Sequence, residues 1–313
     1  MPMLRGVFRE ELLLIYMEYP LKKKANITKG ILTSSCTNLE NLNFKINYLT
    51  KNDNICRNFS EVAIAYVNYM AVLIFFLSHW FLSLFFQTFF LHRYASHKMF
   101  TMSKGWEHFF YFMTFITQGA SFLNPRSYAI MHRMHHAFSD TEKDPHSPYF
   151  IKDVWGLTMK TKDIYLQYAK YKTEPEEQFR DRYPTWPTLD RISDLWIVRI
   201  AFGISYFLFY CYFATAWWMF LLLPIHWFMG PVHGAIVNWC GHKYGYSNYD
   251  NHDHSKNTFP MDFLMMGELF QNNHHKSPNS ANFAKKWFEF DPSYPVIRLL
   301  NAVGIIHLRK IPA

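Results

Sequence analysis

The apolar residues of this chain are concentrated in a few long runs that polar stretches separate. The first run, residues 62–91, is 30 residues long and contains no Asp, Glu, Lys or Arg. A second run, residues 195–237, exceeds forty residues and is interrupted by one Arg, two Pro and two His. Since about 20 apolar residues are enough to cross a bilayer, the pattern predicts one crossing at 62–91 and two more at 195–213 and 217–237.

The chain between these runs is predicted to be helical without crossing the membrane. The apolar run at 109–123 is only 15 residues long and includes Gln118 and Gly119, which suits a re-entrant or interfacial segment. Residues 124–194 are mostly polar and contain several prolines, a pattern that favours amphipathic helices on the membrane surface. The predicted fold class is therefore an all-α integral membrane protein with several transmembrane helices.

The first sixty residues differ in character from the remainder. They are polar and rich in Asn, Lys and Thr, and their one apolar patch, residues 12–19, is too short to cross a bilayer. We therefore predict a weakly ordered N-terminal extension at 1–60 and a membrane domain at 61–313.

Composition agrees with a membrane protein that has a sizeable polar half. Half of the 313 residues are hydrophobic and 19% are aromatic, which is rich in aromatic residues for a soluble protein. The net charge is +8, yet no basic motif interleaved with stacking aromatic residues occurs, so no nucleic-acid partner is expected. Basic residues on the cytoplasmic side of a membrane protein explain the charge better.

The sixteen histidines are the strongest chemical signal, because half of them fall into compact motifs. Three clusters occur, HRYASH at 92–97, HRMHH at 132–136 and QNNHH at 271–275, with His242 in NWCGH as a single addition. Each cluster lies at or near the polar end of an apolar run. Imidazole binds Fe, Zn, Cu and Ni, and eight histidines exceed what one tetrahedral site uses. Two metal ions are therefore predicted.

Helical spacing indicates how the second cluster could bind. His132, His135 and His136 stand at i, i+3 and i+4, so they lie on one face of an α-helix and can converge on a common centre.

The other two clusters are predicted to divide. In an α-helix, five residues correspond to a turn of about 140° and a rise of about 7.5 Å, so His92 and His97 would serve different metals or bracket a helix end. Adjacent His274 and His275 would point about 100° apart and could likewise divide between two metals.

Membrane topology adds an independent constraint on these clusters. To build one site they must lie on one side of the membrane, so the chain between them must cross an even number of times. The two crossings in 195–237 satisfy this, provided that 109–123 does not cross.

From about Phe75 to the C-terminus, the chain resembles the membrane fatty acid desaturase family, specifically the acyl-CoA desaturases related to stearoyl-CoA desaturase. The resemblance is carried by HRYASH (92–97), HRMHHAFSDTEKDPH (132–146), NWCGHKYGY (238–246) and GELFQNNHH (267–275), in that order. It implies a helical membrane domain under a cytosolic helical cap, two irons on the cytoplasmic face, dioxygen as co-substrate and an acyl chain in a tunnel.

The resemblance also implies a set of ligands and partners. Asn238 would hold a metal-bound water, and the acyl chain would arrive as a thioester or on a lipid. Electrons would come from a ferredoxin, a rubredoxin or a b-type cytochrome. The implied iron ligands are His92, His97, His132, His135, His136, His242, His274 and His275.

Three features depart from the family pattern. Gln271 stands where the third motif usually opens with His, and could offer a carbonyl oxygen to iron or orient a water. Ile130 and Met131 stand where the stearoyl-CoA enzymes have Arg-Asp for the CoA head group, so the acyl carrier is open. Only three crossings are evident, where the family has four.

Groups around the ligands are predicted from the motifs. Asp140, Asp144, Asp262, Glu268 and His146 are candidates for orienting the histidines. Basic residues near the motifs could dock an acidic redox protein, although the positive-inside rule explains them equally well. They are Arg93, Lys98, Arg126, Arg133 and Lys243.

Two other functions compete with desaturation. A hydroxylase or ketolase of alkanes or carotenoids uses similar histidine motifs to insert oxygen, and only its product would distinguish it. A metal transporter would need ionisable ligands within the crossings, whereas these clusters lie at the ends.

Overall fold

The computed structural model describes residues 39–309, with side chains from Glu61 onward. The chain divides into two compact units, residues 1–64 and 65–313. Of the extension predicted at 1–60, residues 1–38 lie outside the described residues, and the backbone is helical from Leu39. The site lies wholly within the second unit.

The described chain is mostly helical, and its two short strands pair antiparallel with Phe100 opposite Leu308. The α-helices are α1 (Leu39–Phe86), α2 (Lys104–Gln118), α3 (Pro125–Phe138), α4 (Val154–Ala169), α5 (Pro187–Ser193), α6 (Trp196–Phe213), α7 (Leu223–Trp227), α8 (Met229–Lys243), α9 (Gln271–Lys276) and α10 (Ser293–Ala302). The other elements are a π-helix (Gln87–Ser96), 3₁₀ turns at Gly119–Ser121, Glu177–Phe179 and Trp217–Leu222, and the strands β1 (Phe100–Met102) and β2 (Ile306–Leu308).

Two helices in the described part are long and apolar enough to span a membrane, Glu61–Ser96 and Trp196–Phe213. They match the crossings predicted at 62–91 and 195–213. The crossing predicted at 217–237 is not straight, because its two halves meet at a bend of 76°. Pro231 accounts for the break, since a proline displaces the carbonyl four residues earlier in a helix. This pair is either a broken span or a re-entrant loop, so the total is two or three.

Most of the run at 109–123 lies in helix α2, which has 15 residues and is about 22 Å long, and the rest forms the following 3₁₀ turn and loop. That length is shorter than the roughly 30 Å apolar core of a bilayer. The helix ends at Gly119, where φ is +51° and an added Cβ would lie 1.8 Å from the hydroxyl of Tyr206. A residue without a side chain is therefore needed where α2 meets α6.

Aromatic side chains anchor the π-helix against its neighbours. Phe89 is fully buried and packs 4.8 Å from Phe100 and 4.7 Å from Phe110, measured between ring centroids. Phe90 packs edge-on against Tyr111 of α2 at 5.5 Å. Burying such a side chain contributes about 1.5–3 kcal/mol, so this cluster holds the π-helix, and the histidine within it, in a fixed position.

Candidate metal centre

The structure brings all eight predicted histidine ligands together in two adjacent groups. Within each group, one nitrogen from every ring lies within 4.8 Å of the others. The groups are neighbours, since the rings of His136 and His275 lie 4.6 Å apart. Group A contains His92, His97, His132, His136 and His274, and group B contains His135, His242 and His275.

The prediction that His92 and His97 bracket a helix end is confirmed, because the π-helix that contains His92 ends with His97 as its C-cap. The alternative, that they divide between two metals, is not met, because both belong to group A. The reason is the π-helix, in which the amide of one residue bonds to the carbonyl five residues earlier. The amide of His97 donates to the carbonyl of His92 at 3.3 Å. The wider turn therefore brings residues five apart onto the same side, where an α-helix would separate them.

The three histidines of α3 do not share one centre as predicted. His132 and His136 join group A, whereas His135 joins group B. In an α-helix, residues at i and i+4 point in more similar directions than residues at i and i+3. The ring of His135 therefore turns away from those of His132 and His136, toward group B. Helix α3 thus supplies ligand atoms to both groups.

The remaining ligands come from the end of α8 and from the short helix α9. His274 and His275 divide between the groups, as the sequence predicts. The two helices approach closely beside Gly241, where an added Cβ would lie 2.4 Å from the Gln271 side chain. Gly241 thereby lets His242 reach the rings of α9.

Each histidine of group B is held by its own carboxylate. The contact is always to ring Nδ1, and the opposite atom, Nε2, is buried without a hydrogen-bond partner in all three. The pairs are Asp144 with His135 at 2.9 Å, Asp140 with His242 at 2.9 Å and Asp253 with His275 at 2.6 Å. A carboxylate that accepts the Nδ1 proton leaves a lone pair on Nε2, which is the arrangement of metal-ligating histidine.

Group A points its Nε2 atoms at one another. These atoms lie 2.9 Å apart between His92 and His274, 2.7 Å between His97 and His132, and 2.9 Å between His136 and His274. A neutral imidazole has one donor and one acceptor nitrogen. Five rings therefore cannot all satisfy one another at a common centre, whereas a bound cation would satisfy every lone pair at once. The residues present fit a pair of metal ions.

A buried ionic network holds His92. Its Nδ1 lies 2.6 Å from Oε2 of Glu268, and the other oxygen of Glu268 accepts the hydroxyl proton of Thr88. The guanidinium of Arg93 donates to Thr88 and, at 2.7 Å, to Asp291. Both carboxylates are thereby compensated, and the prediction that Glu268 orients a ligand agrees with its position.

The electrostatics keep most of the rings neutral. Burial and the neighbouring His92 hold the pKa values of His132 and His274 well below the ordinary value. Burial likewise lowers the pKa of His275 to about 4. Burial alone would lower the pKa of His135 as well, but Asp144, together with Asp140 and Asp253, outweighs it and raises that pKa. Neutral imidazole is the form that binds a metal.

Four other predicted residues belong to neither group and have different roles. His146 is in neither group, and its ring centroid lies 5.6 Å from that of His135. Gln271 donates to the carbonyl of Glu268 at 2.7 Å, and both Gln271 and Asn238 line the cavity described below. Asp262 accepts the amides of Met265, Gly267 and Leu269 and contacts none of the eight rings. The hypothesis that Asp262 orients a histidine is therefore wrong; it stabilises a turn.

Asp253 is the functional residue that the sequence reasoning missed. It lies in the polar loop between α8 and α9, flanked by His252 and His254, which belong to neither group. Its own position, 22 residues from His275, follows no helical or strand period. The alternation of His and Asp at 252–254 was the one available signal.

A large cavity of about 1530 Å³ meets the metal centre. His132, Glu268 and Gln271 lie on its wall, and residues of α4, α6 and α8 form much of the remainder. The volume exceeds the 300–1,000 Å³ usual for small-ligand pockets, so a long apolar ligand could lie inside it. Ile130 is fully buried in an apolar cluster and Met131 lies on the cavity wall.

Two of the basic residues suggested for docking a redox protein are unsuitable. Arg93 and Arg126 are both buried. Burial removes them from any surface that another protein could reach. Arg133 is partly exposed, but its guanidinium donates to backbone carbonyls, among them those of Ser96, Asp181 and Ala95. Lys98 and Lys243 are partly exposed and remain available.

Comparison with known proteins agrees with this site. The sequence model for fatty acid desaturases matches residues 67–298, a range that includes all eight histidines. The chain is 29% identical over 237 residues to the delta-9 desaturase-like 5 protein of Arabidopsis thaliana, covering 72% of each chain. It is 29% identical over 230 residues to the sn-1 stearoyl-lipid 9-desaturase of Synechocystis sp., and 32% identical over 231 residues to the acyl-CoA 5-desaturase of Anemone leveillei. Both alignments cover 71% of this chain and 66% of the relative.

Proposed function

The chain belongs to the fatty acid desaturase family, of the delta-9 type, and we propose that it uses dioxygen and two irons to introduce a cis double bond into a saturated acyl chain. The observation that carries this proposal is that the paired histidine groups lie beside the large cavity, which group A meets through His132. Family membership supports the reaction, and the ligand geometry supports the metals.

Desaturation requires a strong oxidant. An unactivated methylene group has no acidic proton and no leaving group, so acid-base catalysis cannot break its C–H bond. When bound, the two ferrous ions would supply, with dioxygen and two external electrons, the oxidising power to remove two hydrogens. The balanced reaction consumes dioxygen, two electrons and two protons and releases the alkene and two waters.

The residues of this chain have three tasks in that reaction. The eight imidazoles hold the metals, and the carboxylates of Asp140, Asp144 and Asp253 keep the proton of each paired ring on Nδ1. Glu268 does the same for His92. The cavity wall excludes water and fixes which carbon of the acyl chain faces the irons.

The location of the reaction is proposed from the elements. We propose that the chain is an integral membrane protein whose helical cap and metal centre lie on the cytoplasmic face, in contact with membrane lipid. The apolar helices Glu61–Ser96 and Trp196–Phe213 support insertion. A small electron-transfer protein, a ferredoxin, a rubredoxin or a b-type cytochrome, would reach the centre from that face.

Expression in a host without its own desaturase tests the function. Double-bond localisation in the total fatty acids should show a new cis-monounsaturated chain. The variant His135→Ala should abolish it, whereas His108→Ala, a histidine outside both groups, should keep it. A hydroxylated product instead would favour the hydroxylase alternative, and an unchanged yield from His135→Ala would refute the assignment of the site.

A further inference from the structure

One wall of the cavity consists of a single helix with no protein behind it. Ile200, Ile204 and Phe207 of α6 line the cavity and are also exposed. Only 11% of helix α6 is buried within the protein. If α6 spans the membrane, its outer face contacts lipid, so lipid and cavity are separated by one layer of side chains.

The seam between α6 and the bent pair α7–α8 is tightly packed near Tyr210, whose hydroxyl lies 2.9 Å from His226 of α7, and at Gly203 it is closed by a tryptophan side chain. Trp227, at the end of α7, donates its indole N–H to the carbonyl of Gly203 at 3.3 Å. Across the cavity, Gly234 of α8 faces open space, since no atom lies within 4 Å of an added Cβ. Trp227 and Phe228 both line the cavity and are exposed. At Gly203, movement of the Trp227 side chain would open a passage for a narrow chain.

At the polar end of the cavity, the charges of most cations are offset by neighbouring carboxylates, or their donors are used by carbonyl groups. Lys170 is paired with Asp194, and Lys162 lies 3.1 Å from Asp163. The guanidinium of Arg199 donates to two backbone carbonyls, at 3.0 and 3.1 Å. Among the described residues that line the cavity, Arg191 is the one cation with neither a hydrogen bond nor an ion pair.

This charge distribution separates two classes of acyl carrier. Coenzyme A carries several phosphate groups and would need several free cations, whereas a membrane phospholipid carries one. Arg191 lies five residues before Trp196, which is 76% exposed at the start of α6. Tryptophan in such a position is typical of the membrane–water interface, which is where a phospholipid head group lies.

We infer that the substrate is an acyl ester of a membrane glycerolipid, whose chain enters sideways from the bilayer between α6 and the α7–α8 pair while its head group stays beside Arg191. This inference rests on the proposed function and specifies its substrate class. The desaturated chain remains esterified to the glycerolipid and leaves by the same seam.

Purified, iron-loaded full-length protein in vesicles tests the carrier directly. One arm uses dioleoylphosphatidylcholine vesicles containing phosphatidylcholine with deuterated palmitoyl and stearoyl chains. The other uses vesicles without that lipid and adds the same deuterated chains as CoA thioesters. Both arms are run with each candidate donor in turn, a ferredoxin, a rubredoxin and a b-type cytochrome, together with the matching reductase and reduced nicotinamide cofactor. Mass spectrometry of the intact phospholipid and thioester locates the new double bonds.

The two arms distinguish the possible results. We expect at least about tenfold more desaturation in the phospholipid, corresponding to about 1.4 kcal/mol of discrimination. Desaturation of the thioester in preference to the phospholipid would overturn the inference and leave the proposed function intact. Product in neither arm would refute the proposed function and the inference with it.

Variants of α6 test the route. Gly203→Leu places a side chain against Trp227, where a Cβ alone would already be 3.4 Å from the indole nitrogen. We expect the phospholipid rate to fall about tenfold, as overpacking costs about 1–3 kcal/mol, with iron content unchanged. Ser205→Leu, on the same helix but outside the cavity wall, is the matched control and should keep the parental rate.

A second variant keeps the route testable if the Gly203→Leu protein does not fold. Ile204→Trp adds bulk to the exposed cavity wall next to Gly203 in the sequence, and it should lower the phospholipid rate as well. If either variant binds iron normally and desaturates phospholipid at the parental rate, the chain does not enter by this route and the inference is overturned.

Discussion

Asp253 shows how a single carboxylate can determine whether a ring is ready to bind metal. Its oxygen lies 2.6 Å from Nδ1 of His275, while Nε2 of that ring is buried without a partner. Asp140, Asp144 and Asp253 each make this contact with one histidine of group B. Two of them fall within the second histidine motif and are predictable from it, whereas Asp253 comes from a loop whose path the sequence does not reveal.

Removing this carboxylate should weaken metal binding. Outer partners of ligating histidines typically contribute a factor of about 10–100 in metal affinity, so Asp253→Ala should reduce iron affinity by about that factor. Asp250→Ala, in the same loop but exposed, is the control. Titration with ferrous ion under anaerobic conditions measures both, and equal affinities for the two variants would show that Asp253 does not orient His275.

Arg93 illustrates a residue whose role was misjudged from its position beside a motif. It is fully buried and compensates Asp291 and Glu268. Arg93→Met should therefore leave two carboxylates without their cation and destabilise the fold by about 3–5 kcal/mol. Arg298→Met, an exposed arginine, should be nearly neutral. Thermal unfolding in detergent compares them, and an equally stable Arg93→Met protein would contradict the network.

At the scale of elements, hydrophobic pattern predicts where helices lie but not how they are wound. The crossings at 62–91 and 195–213 agree with the described helices, because each is long and uniformly apolar. The π-helix Gln87–Ser96 and the 76° bend before α8 do not follow from apolarity. The first depends on tertiary packing, and the second on where Pro231 falls in a helix.

Gly119 fixes the junction between two of these elements. Its φ of +51° strains any residue with a side chain, and a Cβ there would also collide with Tyr206 of α6. Gly304 has φ +77° with no atom within 4 Å of an added Cβ. Gly304→Ala should thus cost about 1–2 kcal/mol for the backbone alone, and Gly119→Ala clearly more. Melting temperatures measure the difference, and equal losses would mean that the α2–α6 contact is loose.

At the scale of the whole molecule, the fold gathers ligands that are far apart in the sequence. The π-helix, α3, α8 and α9 each contribute histidines, and between them the chain includes α6 and the bent pair. The histidine motifs predicted this convergence from sequence alone, and the even-crossing argument stated only the topological condition that such a site must meet. The division of the rings into five and three was beyond that argument, since it depends on side-chain directions within each element.

The iron content of the purified chain tests the central claim most directly. The account predicts two irons per chain after anaerobic reconstitution with ferrous ion, one for each histidine group, measured by elemental analysis together with Mössbauer spectroscopy. His275→Ala, which removes a ligand from group B alone, should leave about one tightly bound iron, because group A keeps all five of its rings. A folded parental protein that binds no iron, or a His275→Ala variant that still binds two irons with unchanged affinity, would contradict the account.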